Sequence, residues 1–598
     1  MPFFRNIKYL LRFFYQNKCR ISNILAPYIK KFMLKKLLVL LTISGIGLVA
    51  KAQEKLPDNF FMKKLNNGME ILVIEDANVP LATIEICVKN GAYTEDAEYN
   101  GLSHLYEHMF FKANKTYPSQ KAFLDRVNEL GISFNGTTSD ERVNYFFTLS
   151  KDKLAEGIDF MNSAIRYPLF DTAEMRRENP VVAGEFQRAE SNPFFTLMDK
   201  SNREVWQDNY SRKNPIGDYK IIYSATAEKM NVIKNKYYWP NNSLLAVCGD
   251  VDHNKVFEQI EQKMGDWQPS GFDPFEKYPI PAFKPIEYAK QFVVESPNAQ
   301  VPVFMLTYHG PDTRNDLKST YAADIFSTIL QQKNAKLYKE LVETGLAFQA
   351  QVGYQSAKYV GPIQIFMVPN PRKIKEAYQV LWNNINAWDT DDYYTDEQLQ
   401  TAKDQMAVSE AYSMEKPSQF IHGVTFWWCS ATIGYYTNYQ DNLQKITRED
   451  IKNYVRKYIK GQPYVMGAMV RTGMQKSLKM DDFFASTLSM PDYTLNFNIN
   501  ETTLIAEENA NKLNSLIQWL NINPSANIDV SATWHDGEKK SAGNERYEAI
   551  LKALADAGIA PTRIIGTNNK KFQIKQVNLN TDDEKTAARN ITFSIVKK

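Results

Sequence analysis

The chain has 598 residues, enough for three or four domains. Hydrophobic residues make up 44% and charged residues 23%, an ordinary globular mix with enough apolar side chains for a sizeable core. A net charge of +3 over this length gives no case for nucleic-acid binding by bulk electrostatics.

Residues 1–52 read as a leader, not as fold. Met33-Leu34-Lys35-Lys36 is a charged n-region, Leu37 to Val49 is an apolar run of h-region length, and Ala50-Lys51-Ala52 is a cleavage site that leaves Gln53 first. The basic, Phe-rich stretch before Met33 reads as lying upstream of the start that is used. The apolar run is too short for a comfortable membrane span, and no other stretch reads as one. The expectation is an exported protein, in the periplasm or cell envelope of a bacterium or secreted. Beyond the leader, Cys87, Cys248 and Cys429 lie far apart in apolar contexts and read as core thiols, not as a disulfide framework.

Leu65 to Val73 reads as a hairpin with Asn67-Gly68 at its turn. Gly101 to Phe110 then reads as an apolar helix carrying His104 and His108 at i and i+4, so both imidazoles share one face. Two neutral imidazoles at this spacing suit Zn²⁺, and Glu107 between them suits a general base for metal-assisted hydrolysis. The order H-x-x-E-H is the reverse of H-E-x-x-H. A four-coordinate catalytic zinc with two histidines needs one more protein ligand. Glu174 to Arg188 offers Glu178 and Glu185, seven residues apart and therefore on one helix face. Pro180 between them suits only a first turn, which leaves the helix on the Glu178 side open.

Together these residues resemble the insulinase/pitrilysin-type metallopeptidases, whose zinc box is followed by E-x-x-V-x-x-E or a close variant with the last Glu as third ligand. The resemblance implies Zn²⁺ held by His104, His108 and Glu185, with Glu107 as base and Glu178 in a catalytic role, orienting a ligand or the water. Glu185 follows His108 by 77 residues, which fits the family's spacing. The segment Phe134-Asn135-Gly136-Thr137-Thr138, followed by Val143 to Phe147, resembles the family's substrate strand. That strand is a sheet edge that pairs with peptide backbone, so Asn135, Gly136, Thr137 and Thr138 are expected to bind substrate with loose sequence specificity. The family more often has Ala where Gly136 stands.

A helix–turn–strand unit at Thr226–Asp250 returns at Thr447–Val470, with Thr226 and Thr447 each as an expected N-cap. The offset of 221 residues, shared by Tyr237 and Tyr458, points to internal duplication. Pro269, Pro274, Pro279, Pro281 and Pro285 mark a linker between the copies. Applying the offset to the first box lands near Ile325, without a histidine, so the second copy is structural or substrate-binding. The expected fold is α+β. It has two homologous α/β metallopeptidase units forming half of a clam shell, at 53–268 and 291–491, with a Pro-rich linker at 269–290. In the family the second half usually carries an Arg and a Tyr that reach the substrate carbonyl. Val342 and Phe348 stand in the matching stretch here, and neither can donate a hydrogen bond. The resemblance therefore implies a partner, a homologous non-zinc subunit that supplies the Arg/Tyr pair.

From about Asp492 the character changes. Residues 492–598 read as a small α/β domain whose phrase Leu554 to Ile564 resembles the OmpA-like cell-wall-binding domain, with Asp536 and Arg546 nearest to its peptidoglycan-holding pair. The reading is an exported zinc endopeptidase that cleaves unfolded peptides, as the catalytic subunit of a heterodimer. The competing reading is a cell-envelope binding or scaffold protein that uses the tail and has little peptidase activity. The sequence names neither the substrate nor the cleavage preference.

Overall fold

The computed structural model describes residues 56–478 apart from 288, and residues 493–596 with short gaps. The expected leader (1–52) and the expected start of the tail (492) lie outside the described residues. Among the described residues, no helix is long and apolar enough to cross a membrane.

The first sheet contains β1 (Phe60–Lys64), β2 (Glu70–Glu75), β3 (Leu81–Val88), β4 (Ser133–Thr138), β5 (Val143–Ser150) and β6 (Ser243–Gly249), in the order β1-β2-β6-β3-β5-β4. The hairpin read at Asn67-Gly68 joins β1 to β2, with Lys64 opposite Glu70. Strand β4 is an edge and pairs with β5 from Ser133 opposite Thr148 to Thr138 opposite Val143. The second sheet contains β7 (Lys290–Ser296), β8 (Val303–His309), β9 (Ala347–Tyr354), β10 (Pro362–Pro369) and β11 (Val465–Arg471), in the order β7-β11-β8-β10-β9.

Without β1, the first sheet matches the second strand for strand. The pairs β2–β6 and β7–β11 are parallel, and every later pair is antiparallel in both. The helices named below are α1 (Leu102–Phe110), α2 (Thr172–Glu190), α3 (Phe195–Trp206), α4 (Ala227–Tyr237), α5 (Leu317–Gln331), α6 (Pro417–Ser430), α7 (Arg448–Tyr458), α8 (Ala506–Ile522) and α9 (Ala542–Asp556). Helices α1 and α5 hold the same place in the two copies, and Ile325 of α5 is fully buried, so this half keeps the packing and not the box. Of the two expected N-caps, Thr447 caps α7, where its hydroxyl accepts from the Asp450 amide. Thr226 holds the cap position of α4 without a side-chain bond to a helix amide.

Both faces of the first sheet are buried, which is why β2, β3 and β6 read as almost continuous apolar runs. Strand alternation sends Ile71, Val73, Ile84, Ile86, Leu245 and Val247 into the core shared with α1. It sends Leu72, Ile74, Cys87, Leu244, Ala246 and Cys248 the other way, against Phe420, Ile421, Val424, Trp428 and Cys429 of α6. Thus a helix from the second copy covers the back of the first sheet. The loan is reciprocal: Leu197 of α3, from the first copy, is buried among Val303, Met305 and Met469 of the second sheet. The Pro-rich segment between the copies carries the short helix Pro274–Lys277, capped by Asp273.

The tail forms its own four-stranded sheet from β12 (Leu495–Asn496), β13 (Ile528–His535), β14 (Ile574–Val577) and β15 (Asn590–Ile595), in the order β12-β15-β13-β14. Trp519 and Leu520 of α8 and Ile550 and Leu554 of α9 pack on it in a separate apolar cluster.

Candidate metal centre

Helix α1 begins without a Ser, Thr, Asp or Asn at its N-cap. Gly101 stands there with φ 92°, and a Cβ on it would come within 2.6 Å of Gly217 Cα. The orphan amides at this end are taken by Glu95, whose two carboxylate oxygens accept from Gly101 N and Ser103 N at 2.7 Å each. Burial pushes the Glu95 carboxyl up to about 8, against the pull of those two amides. The sequence reading missed Glu95, because a cap six residues before the helix and reached through a loop leaves no local pattern.

From this anchored end α1 presents His104 and His108 with ring centroids 5.0 Å apart. Helix α2 brings Glu185 to them, its Oε2 lying 3.4 Å from His104 Nε2 and 3.8 Å from His108 Nε2. Ligand atoms of a tetrahedral zinc site with bonds of about 2.0–2.2 Å lie about 3.3–3.6 Å apart. His104, His108 and Glu185 hold donor atoms within 4.8 Å of one another. Two imidazoles and one carboxylate are a donor set that fits zinc. Burial, then the neighbouring His108, brings His104 down to about 4, so its imidazole is neutral with a lone pair to give.

The side of the helix that Pro180 left open in the sequence is helical. Helix α2 runs through Pro180 for 19 residues, capped by Asp171, whose Oδ1 accepts from Ala173 N and Glu174 N at 2.9 Å each. The proline forgoes one helical hydrogen bond, at a cost of about 3 kcal/mol, which buried Met175, Val182 and Ala183 on the same helix offset. Glu178 therefore stays in helical phase with Glu185. Its Oε1 lies 2.8 Å from His108 Nδ1 and its Oε2 2.6 Å from Lys112 Nζ. Burial would raise this carboxyl, but the bonds from His108 and Lys112 outweigh it and hold it below its usual range. His108 in turn is held above its usual range: burial opposes, and the Glu178 bond with the carboxylates around it wins. A proton fixed on Nδ1 by Glu178 leaves Nε2 as the donor atom facing Glu185. His104 has no such tether, since its Nδ1 is buried without a partner among the described residues. We expect Glu178→Gln to weaken zinc binding about 10- to 100-fold, read by competition with a chromogenic chelator.

Glu107 is nearly buried, at 8% exposure. Its Oε2 accepts from Thr138 Oγ1 at 2.7 Å, and burial raises its carboxyl despite that bond. Gly136 lies directly beneath, where an added Cβ would sit 2.8 Å from Glu107 Cγ and 3.1 Å from its Oε1. Gly136 thus makes room for the Glu107 side chain. Of the expected substrate residues, Asn135 and Thr137 are exposed on β4, and the Thr137 hydroxyl donates to Asn144 Oδ1. Asn144 Nδ2 donates to Glu85 at 3.0 Å. Glu85 is a fully buried carboxylate that also accepts from Thr425 and pairs with His422, both on α6. The turn beyond β4 is held by the second copy too. Glu141 accepts from the Lys358 and Tyr359 amides at 2.8 and 2.9 Å, and Arg142 donates to His422 O at 2.5 Å. Edge strand and Glu107 are therefore fixed together, from both faces of the sheet.

In the second copy Val342 is partly buried and Phe348, at the start of edge strand β9, is 59% exposed. In the tail, Arg546 is fully buried. Its guanidinium pairs with Glu538 and donates to Asn498 O at 2.9 Å and Glu501 O at 3.0 Å, so it meets the protein's own groups and not an open surface. Asp536 lies outside the described residues.

The family model described as Insulinase (Peptidase family M16) matches residues 70–216, and the Peptidase M16 inactive domain model matches 224–406. Side by side they cover more than half of the chain. The chain belongs to the insulinase family, M16. A curated relative, an uncharacterized zinc protease of Rickettsia felis, is 28% identical over 205 residues, which is 34% of this chain and 50% of that one. The chain thus spans about half the length of such curated relatives. Among solved structures, a protease from Helicobacter pylori superposes with a TM-score of 0.62 at 21% identity, covering 69% of this chain and 100% of that one. The first half of the periplasmic protease PqqL from Escherichia coli gives a TM-score of 0.59 at 16% identity, covering 71% and 94%. These likenesses establish the two-unit α+β fold.

Proposed function

We propose that the chain is an exported zinc metalloendopeptidase acting on unfolded peptides. One observation carries the reading: α1 and α2 bring His104, His108 and Glu185 to one point, while Thr138 of an edge strand holds Glu107 beside them. Zinc, when bound by those three residues, supplies Lewis acidity that activates water and polarises a carbonyl. The rest is the work of this chain's residues. An extended peptide adds to β4 through main-chain hydrogen bonds. Glu107, whose Oε2 is fixed by Thr138, takes the proton of the attacking water and passes it to the departing amine. Glu178 keeps His108 in the binding tautomer. Export is supported by the likeness to a periplasmic protease and by the leader pattern. The test is metal content of the purified chain together with cleavage of an internally quenched peptide. One zinc per chain, with activity lost on chelation and restored by zinc, is expected. Zinc-loaded protein that cleaves no peptide in a broad library, alone or with partners from the same envelope, would refute the reading.

The missing donors point to a partner. Val342 and Phe348 cannot hydrogen-bond a developing oxyanion, and one lost donor of this kind costs about 10²–10³ in rate. We expect the isolated chain to turn over at about 10²–10³ below its rate with a homologous subunit that keeps Arg and Tyr but lacks the zinc box. Rates and native masses of the chain, alone and mixed with such a protein, check this. Equal rates with and without the second subunit would remove the partner from the scheme.

A further inference from the structure

Two thiols that the sequence separates by 342 residues meet in the fold. Cys87 lies on β3, on the face of the first sheet turned away from α1. Cys429 lies in the last turn of α6, the helix lent by the second copy. Their sulfurs are 3.3 Å apart, and the residues are 0% and 2% exposed. Leu244, Ala246, Val424 and Trp428 belong to the same apolar cluster, and the Cys87 thiol also reaches the Thr425 carbonyl oxygen at 3.8 Å. Cys248, on the same face, has no sulfur neighbour of this kind among the described residues. The pairing exists only because α6 docks on a sheet from the other half of the chain. It was therefore invisible in the sequence, where the three thiols read as independent core residues.

We propose that Cys87 and Cys429 form a disulfide, a covalent clasp that ties the second copy's helix to the first copy's sheet. A disulfide bond is about 2.0 Å long, so the sulfurs close by about 1.3 Å. The oxidant is another disulfide, R–S–S–R, either low-molecular-weight or on a protein. One cysteine thiolate attacks it, forming a mixed disulfide and releasing one RSH. The second cysteine then attacks the mixed disulfide, forming Cys87–Cys429 and releasing the second RSH. Two cysteine thiols are oxidised, one external disulfide is reduced, and the two cysteine protons end on the departing thiols. Burial holds the Cys87 thiol well above its ordinary range, so the closed interface is slow to react. Oxidation proceeds as α6 docks during folding, or from states in which α6 has lifted. Once formed, the bond closes a loop of more than 300 residues and opposes the lifting of α6.

The test uses the full chain and does not depend on peptidase activity. Reduced protein is equilibrated with oxidised glutathione, with and without dilute urea, then denatured in N-ethylmaleimide and digested without reductant. We expect the peptides of Cys87 and Cys429 to be recovered joined. Cys248 should be recovered separately, as its N-ethylmaleimide or glutathione adduct. The oxidised chain should unfold about 3–5 °C above the reduced chain, a difference that dithiothreitol erases. In Cys429→Ser both the joined peptide and the shift should vanish. Recovery of Cys87 and Cys429 as separate adducts, even where urea has opened the interface, would overturn the proposal. So would joined peptides that include Cys248 as often as the proposed pair. The wild-type peptide map decides the matter even if the variant folds poorly.

Discussion

Glu107→Gln keeps its zinc and loses turnover by about 10²–10⁴ in kcat, the range for removing a positioned general base. The substituted amide can still take a hydrogen bond from Thr138 Oγ1, so the edge strand and the helix keep their positions. It cannot accept the water's proton. His108→Ala has the opposite signature: it removes a donor atom and leaves Glu178 facing Lys112 alone, so metal and activity go together. Metal content by atomic emission and single-turnover cleavage of a quenched peptide separate the two variants. A Glu107→Gln protein that loses zinc as fully as His108→Ala would show that Glu107 is a ligand and not the base.

The second large effect concerns the chain's division into two copies. A fragment of residues 53–290, expressed alone, is expected to be insoluble or molten, although it carries the whole zinc set. It would bare the back of the first sheet, where Phe420, Ile421, Val424, Trp428 and Cys429 of α6 are buried. At about 2 kcal/mol for each side chain, their burial contributes about 10 kcal/mol, which is as large as the net stability of a domain. The fragment also keeps α3, whose Leu197 belongs in the second sheet and would be stranded in water. Co-expression of residues 291–491 as a separate chain should restore solubility, because each piece then receives the helix the other lends. The check is soluble yield and the cooperativity of thermal unfolding. A monomeric 53–290 fragment that unfolds in one sharp transition would show that the exchanged helices are dispensable.

What the sequence determined by itself is the chemistry and the repeat. The i, i+4 spacing of His104 and His108, and the seven-residue spacing of Glu178 and Glu185, are helical periods, so two imidazoles on one face of α1 and two carboxylates on one face of α2 follow without long-range information. The 221-residue offset announced the duplicate sheet for the same reason, since strand and helix periods are local. Tertiary structure decided the rest. Helix α2 continues through Pro180 because its packed neighbours offset the lost hydrogen bond, a balance that local propensity leaves open. Glu95 caps α1 from across a loop, and Gly136 yields space to Glu107 from a neighbouring strand. The largest surprise, the exchange of α3 and α6, depends on which apolar face finds which sheet. Hydrophobic burial is non-directional, so an apolar stripe in sequence says that a helix is covered and not what covers it. For the same reason two thiols that each looked like isolated core residues come to lie in contact.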